Sequence, residues 1–290
     1  MAHDEAMVMV GAIIDFTTQE VSPRTIVANY SSYYNVNAGA VALDDFIIVI
    51  DTLVYPRQAR KLREELEANF DLPVKYLFIT HFHGDHHYGA VQFKEAEVFG
   101  SNALIENMKR RKKEGWTKEA FEDWKKEEPD FAKFIDEIQI VIPTKGFEKN
   151  RVIKSNDSQL EFYHSGGHSS CSSYAYFPNE RVLFTGDDLA AESWPYMSAP
   201  DGDPEKWMQT FEHMISLDID FVVPGHGPIV GKEHIEEQLS FLRKLKSAVL
   251  KAIEQGKGPE EVEIPEFYEP DVDWQIPRAM EFLHGYYSSD

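Results

Sequence analysis

The chain has 290 residues, of which 42% are hydrophobic and 27% are charged, and this composition is typical of a globular protein with a large core. Its formal net charge of −21 at pH 7 argues against a nucleic-acid partner, because a protein that neutralises phosphates needs a basic face. The one concentrated basic run, KRRKK, has acidic residues on both sides, and we interpret it as a solvated helix face.

The chain contains a single cysteine, Cys171, so an intrachain disulfide is impossible, as is usual in a reducing compartment. Acidic residues occupy the N-terminal stretch MAHDEAMVMV, where a signal peptide would carry positive charge. Apolar runs fall short of the roughly 20 residues that a membrane span requires. We therefore expect a cytoplasmic protein with no membrane partner.

Strand-like and helix-like segments alternate along the first part of the chain. Residues 36–43 and 46–54 are β-rich, and the two aspartates between them predict a hairpin. Apolar residues at every fourth position predict a helix over 56–70. Residues 74–80 form a continuous apolar run that predicts a buried strand, and this run ends directly on a cluster of histidines.

The later part of the chain repeats this alternation with shorter strands. Residues 101–137 predict one or two highly charged helices. Asp203 and Pro204 predict the N-cap and first position of another helix, and a further helix over 235–253 should end at Gly256. The predicted strands are 139–142, 160–163, 173–177, 182–184 and 221–223.

This pattern of hairpins and alternating helices predicts a sheet-containing core covered by helices. We expect one domain over residues 1–290, with a helical insertion at about 101–137 and an irregular C-terminal arm at about 258–290. The arm is rich in proline and aromatic residues, which also suit a contact between two copies of the chain. The sequence therefore leads to the hypothesis that the chain forms a homodimer.

The stretch THFHGDHHYG places four histidines and an aspartate within seven positions. Burying so many titratable groups is costly unless a cation or hydrogen bonds satisfy them. At a strand end His81 and His83 point to the same side, and the glycine that follows lets Asp85 and His86 approach the same space. Nitrogen and oxygen ligands in this arrangement are what two neighbouring divalent metals need.

Three other ligand-type residues follow strand-like runs, and each has glycine beside it. His168 lies in FYHSGGHSS, Asp187 in VLFTGDD and His226 in FVVPGHG. Glycine lets the backbone approach a metal closely, and strand ends are rigid supports. We therefore expect these three residues to complete the site.

The motifs HFHGDH, GGH, TGD and PGHG, in this order and preceded by VIDT, resemble the metallo-β-lactamase-fold superfamily over roughly residues 36–230. The resemblance implies an α/β fold, a four-layer αβ/βα sandwich of two mixed β-sheets flanked by helices. It also implies that the metals lie in a cleft at one edge of the sandwich. Two Zn²⁺ ions per chain are expected, with iron or manganese as the alternative metals.

The resemblance also implies a role for each site residue. Asp85 would in addition be the catalytic group that orients the water or protonates a leaving group, while His87 has no role in the pattern. A carboxylate in VIDT would orient a ligand histidine. The implied set is His81, His83 and His168 for the first metal, Asp85, His86 and His226 for the second, Asp187 as the bridge and Asp51 as the orienting carboxylate.

Several residues of this sequence differ from those of individual groups of the superfamily, and these differences reduce the number of functions that we expect. Asp187 stands where the cysteine-containing zinc β-lactamases have a cysteine, and Cys171 lies three residues after His168, where no ligand is expected. Ala190 stands where acyl-homoserine lactonases have a tyrosine, and His83 excludes the flavin-coupled diiron pattern. The motif set resembles glyoxalase II, lactonases and related hydrolases, so antibiotic hydrolysis is not expected.

These observations predict a metal-dependent hydrolase that uses a dinuclear-metal-activated hydroxide on a small ester, lactone or thioester. The alternative is an oxidoreductase that resembles the mononuclear-iron persulfide dioxygenases. Aromatic residues near the site predict the pocket wall, although the same side chains could serve only in packing. The candidates are Tyr33, Tyr34, Trp194, Tyr196 and Met197.

Overall fold

The computed structural model describes residues 14–197 and 201–289, so the acidic stretch over residues 1–10 lies outside the described part. The strands are β1 Thr17–Ser22, β2 Thr25–Tyr30, β3 Val36–Ala42, β4 Ile47–Ile50, β5 Val74–Phe78, β6 Glu97–Ser101, β7 Lys145–Phe147, β8 Asn150–Ser155, β9 Ser158–His164, β10 Ser173–Phe177, β11 Val182–Ala190 and β12 Phe221–His226. The helices are α1 Pro56–Phe70, α2 Gly84–His87, α3 Asn102–Glu114, α4 Lys118–Glu127, α5 Ala132–Ile135, α6 Pro204–Ser216, α7 Glu233–Glu254 and α8 Gln275–Ser288.

The twelve strands belong to one continuous β-sheet, which we call the ladder. Its order is β7-β6-β5-β4-β3-β12-β11-β10-β9-β8, with β2 also paired to β3 and β1 to β2. A single residue pair, His226 with Val36, joins β12 to β3. We call strands β1–β7 the first half and strands β8–β12 the second half. Each half is mixed, since β4 to β7 pair in parallel and β3 is antiparallel to β4, while β11 is parallel to β12 and antiparallel to β10.

Side-chain alternation along the strands produces three hydrophobic layers. Ile48 of β4 and Phe184 of β11 belong to the core between the two halves of the ladder. Val49, the next residue of β4, points to the opposite face and packs with Leu62 of α1 in a second core. Leu183 of β11 packs with residues of α6, α7 and α8 in the third core. The prediction of an α/β sandwich with helices on its outer faces is confirmed.

The two halves approach each other closely at one glycine. A Cβ atom added to Gly39 of β3 would overlap the ring of Phe184. Only glycine leaves room for the ring at this position, so Gly39 sets how closely β3 and β11 pack.

The predicted helix boundaries near the second half are confirmed. The Asp203 side chain accepts hydrogen bonds from the backbone N–H groups of Glu205 and Lys206, at 3.1 and 3.0 Å, and so caps α6. At the end of α7, Gly256 has a φ of 70°, the left-handed conformation that terminates helices and that glycine adopts without strain.

Two predicted segments differ in the structure. The strand predicted over 139–142 is wrong, because these residues are extended without a ladder partner and only partly bury their apolar side chains against the first half. The neighbour of β6 is β7 instead. The C-terminal arm is irregular only in its first part, since Gln275–Ser288 forms α8 and buries Ala279, Met280 and Leu283 in the third core.

None of the helices in residues 14–197 and 201–289 is long and apolar enough to cross a membrane.

Candidate active site

The candidate ligands come together because they lie at strand ends on one edge of the sandwich. The histidine cluster follows β5 of the first half and continues into α2. His168 lies in the connection from β9 to β10, Asp187 lies in β11, and His226 is the last residue of β12. The seven residues form two groups whose ligand atoms lie within 4.8 Å of one another in each group.

The first group contains His81, His83, His168 and Asp187. His83 Nδ1 lies 3.0 Å from His81 Nε2 and 3.2 Å from His168 Nε2. Asp187 Oδ2 lies 3.2 Å from His81 Nε2 and 3.6 Å from His168 Nε2. Three imidazole nitrogens and a carboxylate oxygen around one point could hold a divalent cation.

The second group contains Asp85, His86 and His226. His226 Nε2 lies 3.3 Å from Asp85 Oδ2 and 3.4 Å from His86 Nε2. His86 Nε2 lies 3.7 Å from Asp85 Oδ2. This group could hold a second cation beside the first.

The Asp187 carboxylate lies between the two groups and gives one oxygen to each. Oδ2 faces the first group, while Oδ1 lies 3.1 Å from His86 Nε2 and 3.5 Å from His226 Nε2. Oδ1 is buried and receives no hydrogen bond. A Cβ atom added to Gly225 would overlap this oxygen, so glycine is needed where β12 passes the carboxylate. A buried carboxylate among five imidazoles, with an unbonded oxygen, fits the donor set for divalent cations.

The Asp51 carboxylate orients the ligand histidine His86 through a hydrogen bond to the ring nitrogen that faces away from the second group. Its Oδ2 accepts a hydrogen bond from His86 Nδ1 at 2.9 Å, which directs His86 Nε2 towards the second group. Thr80 donates to the same carboxylate through its backbone N–H at 2.9 Å and its hydroxyl at 2.8 Å. The predicted partner of a ligand histidine is therefore in contact with His86, in the arrangement expected around metal-bound imidazoles.

Backbone carbonyl groups orient two further histidines. His168 Nδ1 donates to the Tyr196 carbonyl at 2.9 Å, and His226 Nδ1 donates to the Tyr34 carbonyl at 2.8 Å. Because a carbonyl only accepts, the proton lies on Nδ1 in both rings and Nε2 keeps its lone pair. Tyr34 has a φ of 49°, so a strained turn positions its carbonyl group beside His226.

Burial and neighbouring charges shift the pKa values of the candidate ligands, lowering some and raising others. Burial lowers the pKa of His168 to about 4 and the pKa of His81 well below its usual value. Burial would raise the pKa of Asp187, but the surrounding imidazoles hold it well below the ordinary range. Burial would lower the pKa of His86, but the nearby carboxylates, Asp187 first, raise it. His81 and His168 are thus neutral at pH 7 and Asp187 is ionised, as metal ligands must be, whereas His86 would have to release a proton when it binds a metal.

The two groups open into a cleft of about 360 Å³. Tyr33, Tyr34, Trp194 and Tyr196 line it, as do Asp85 and Asp187. The prediction for Met197 is wrong, because this side chain is buried in the third core, against α6, α7 and α8.

The sequence interpretation missed the wall that the C-terminal segment contributes. Asp271, Val272, Trp274 and Gln275 line the cleft, just before and at the start of α8. The available signal was Trp274, one of the aromatic residues of the predicted C-terminal arm. Residues 101–137 supply none of the side chains that the structure describes along the cleft.

His87 is buried outside both groups. Its Nε2 donates to the Phe82 carbonyl at 3.0 Å, and its ring packs edge-on against Trp116 with centroids 4.9 Å apart. These contacts place it in the packing beneath the ligand cluster.

Comparison with known proteins gives the class of this chain. Residues 33–226, more than half of the sequence, match the sequence profile of the Metallo-beta-lactamase superfamily. The chain belongs to this superfamily, and its histidine and aspartate site could hold a divalent metal.

Two relatives and one solved structure show how distant the similarity is. "Beta-lactamase-like protein 2 homolog" from Caenorhabditis elegans is 23% identical over 214 residues, which are 73% of this chain and 63% of that protein. The human "Acyl-coenzyme A thioesterase MBLAC2" is 27% identical over 223 residues, which are 71% of this chain and 78% of that protein. This chain thus spans less than two thirds of the nematode relative.

The metallo-beta-lactamase from Pontibacter korlensis has a similar structure, with a TM-score of 0.60 at 21% identity over 79% of this chain and 99% of that chain. This likeness shows a shared fold, which agrees with the layers described above.

Proposed function

We propose that this chain is a hydrolase that uses a hydroxide activated by two divalent metal ions to cleave a small ester, lactone or thioester. The observation that carries the proposal is the Asp187 carboxylate, whose two oxygens face the two ligand groups separately. A carboxylate shared in this way suits two cations better than one. His81, His83 and His168 would hold one ion, and Asp85, His86 and His226 the other.

Two bound cations would supply a water of lowered pKa and a Lewis acid for the substrate oxygen. We take Zn²⁺ as the metal, since imidazole nitrogens and carboxylate oxygens are its usual ligands, with iron or manganese as the alternatives. The similarity to the human acyl-coenzyme A thioesterase supports an acyl-transfer substrate, because cleavage of esters and thioesters places negative charge on the same kind of oxygen.

Asp85 is the residue of this chain placed to handle protons. Its carboxylate lies beside His226 and lines the cleft, between the ligand group and the substrate space. Burial would raise its pKa, but His86 and His226 hold the pKa below the ordinary range. An ionised Asp85 would therefore take a proton from the attacking water and then pass that proton to the leaving group.

The remaining features of the proposal concern the molecule as a whole. We propose a single functional domain, a small-molecule substrate and a cytoplasmic location, on the basis of the acidic composition and the lone cysteine. A homodimer through the C-terminal segment also stays a prediction.

The test combines metal analysis with an activity screen on the purified protein. Near two zinc ions per chain, with hydrolysis of aryl esters, lactones or thioesters, would support the proposal. A single iron per chain with oxygen uptake on a persulfide would replace it with the dioxygenase alternative.

A further inference from the structure

The cleft has an unusual lining for a site that handles acyl groups. Five aromatic side chains surround it, together with the carboxylates Asp85, Asp187 and Asp271 and two ligand histidines. Lysine and arginine are absent from the described residues that line it. The lining aromatic residues are Tyr33, Tyr34, Trp194, Tyr196 and Trp274.

The mouth of the cleft exposes two of these rings. Tyr34 is 48% exposed and Trp274 is 39% exposed, although residues of this size are usually well covered. Trp274 meets Tyr196 edge to face at 5.7 Å, and Tyr196 in turn meets His83 edge to face at 5.5 Å. Tyr196 therefore separates the Trp274 end of the cleft from the ligand groups by the width of one ring.

Asp271 is the lining carboxylate that no ligand histidine engages. The hydroxyl of Ser193 donates to its Oδ2 at 2.8 Å. The backbone N–H of Trp194 donates to the Glu269 carbonyl at 3.2 Å, which ties the C-terminal segment to the same turn. This carboxylate thus lines the same cleft as the exposed aromatic rings and belongs to neither ligand group.

Aromatic faces and a carboxylate together form the chemistry that recognises an alkylammonium group. Trp274 already shows this affinity within the chain, since the guanidinium carbon of Arg278 lies 4.7 Å from its ring centroid. Arg278 is not among the described residues that line the cleft. The net charge of −21 adds a long-range attraction for cations.

We propose that the outer end of the cleft, formed by Tyr196, Asp271 and Trp274, binds the ammonium group of a cationic substrate. The inference rests on the proposed hydrolase function and names its substrate class as cationic esters or thioesters. Thioesters of anionic carriers would meet carboxylates without a compensating lysine or arginine in the described lining. This chain would therefore differ in substrate from its human acyl-coenzyme A thioesterase relative.

The experiment compares the metal-loaded enzyme on acetylthiocholine, on the neutral isostere that carries a tert-butyl group in place of trimethylammonium, and on acetyl-coenzyme A. We expect kcat/KM for the cation to exceed that for the isostere by about tenfold, and acetyl-coenzyme A to be the poorest of the three. Equal values for the cation and the isostere would overturn the inference.

Two matched variants test whether the preference for the cation depends on Asp271. Asp271→Asn should bring the ratio of cation to isostere close to one. Asp273→Asn removes the same charge from an exposed neighbour that lies outside the described lining, and should leave the ratio unchanged. If the ratio fell equally in both variants, the preference for the cation would come from the overall negative charge of the protein, and this would contradict the subsite.

Calorimetric titration with tetramethylammonium separates this inference from the reaction itself. Binding that weakens in Asp271→Asn and persists in Asp273→Asn would support the subsite even if no ester or thioester is cleaved, in which case the proposed hydrolase function is the part that fails. Absence of binding to the wild-type enzyme, with hydrolysis of the neutral isostere intact, would remove the subsite and leave the hydrolase function standing.

Discussion

At the residue scale, the site depends on how single side chains divide their atoms between partners. Three ligand histidines, His86, His168 and His226, use Nδ1 for a carboxylate or backbone oxygen and direct Nε2 to the ligand groups. Asp187 divides its two oxygens between the groups. Such residues have no substitute of the same geometry, so their replacement tests the assignment directly.

We expect Asp187→Ala to lower kcat/KM by more than about a hundredfold and to reduce the metal content, because even residues behind the ligands cost about 10–100-fold when replaced. Metal content is measured by mass spectrometry after gel filtration. Asp218→Ala, at a highly exposed site, is the control and should retain both metal and activity. A fully active, fully metallated Asp187→Ala variant would refute the shared role of this carboxylate.

Cys171 gives a prediction about reactivity. Its side chain is fully buried, and burial raises the pKa of the thiol to about 12. A thiol in the unfolded chain ionises near its ordinary pKa, so the folded state binds the extra proton and loses stability as pH rises through that interval. At about pH 8 the native protein should not react with a disulfide reagent, whereas the denatured protein should release one equivalent per chain. Rapid labelling of the native protein would contradict this.

At the element scale, α8 positions one wall of the cleft. The helix follows Trp274 directly and packs on α7 through Leu283 and its neighbours. The hydroxyl of Tyr287 donates to Glu205 of α6 at 2.6 Å. The position of this cleft wall therefore depends on how α8 packs.

Leu283→Ala should lower the free energy of unfolding by about 2–5 kcal/mol, because it leaves a cavity in the third core. It should also raise KM more than it lowers kcat, since the wall loosens while the ligand groups stay in place. Urea unfolding and steady-state kinetics measure the two effects. Glu281→Ala, on the exposed side of the same helix, is the control. An unchanged KM would show that the wall is fixed without α8.

The elements also show what sequence could predict. The seven candidate ligands could be found because four of them form one cluster after a predicted strand, while His168, Asp187 and His226 each follow a strand-like run beside glycine. The strands β1, β2, β6, β7 and β8 were not predicted. β1 is largely exposed and β7 has only 3 residues, so these two carry little of the hydrophobic pattern on which prediction relies.

Contacts between segments far apart in the sequence also could not be predicted. The direction of Met197 depends on where α6, α7 and α8 pack, and nothing adjacent in sequence specifies this. In the same way, Asp271 reaches the cleft through its contact with Ser193, which lies 78 positions earlier. Local patterns cannot report such long-range pairing.

At the scale of the whole molecule, both ligand groups draw on both halves of the ladder. His81, His83, Asp85 and His86 follow β5 of the first half, whereas His168, Asp187 and His226 belong to the second half. Each bound cation would therefore hold the halves together.

Removal of metal should lower the free energy of unfolding by about 3 kcal/mol or more, since a ligand at a hundred times its dissociation constant stabilises by about that amount. Thermal melts with and without a chelator measure the change, and added zinc should reverse it. In Asp187→Ala the chelator should have a much smaller effect. Identical melting of the wild-type protein in both conditions would show that the cations do not join the halves.

The single residue pair between β12 and β3, His226 with Val36, has a consequence for how the protein matures. Backbone pairing across this junction is sparse, so the two halves also depend on the core between them and on the Asn37 side chain, which donates to the Pro224 and Gly227 carbonyl groups. Neither half contains a full ligand group by itself. A chain in which only one half has folded therefore could not assemble the reactive centre and would be inert.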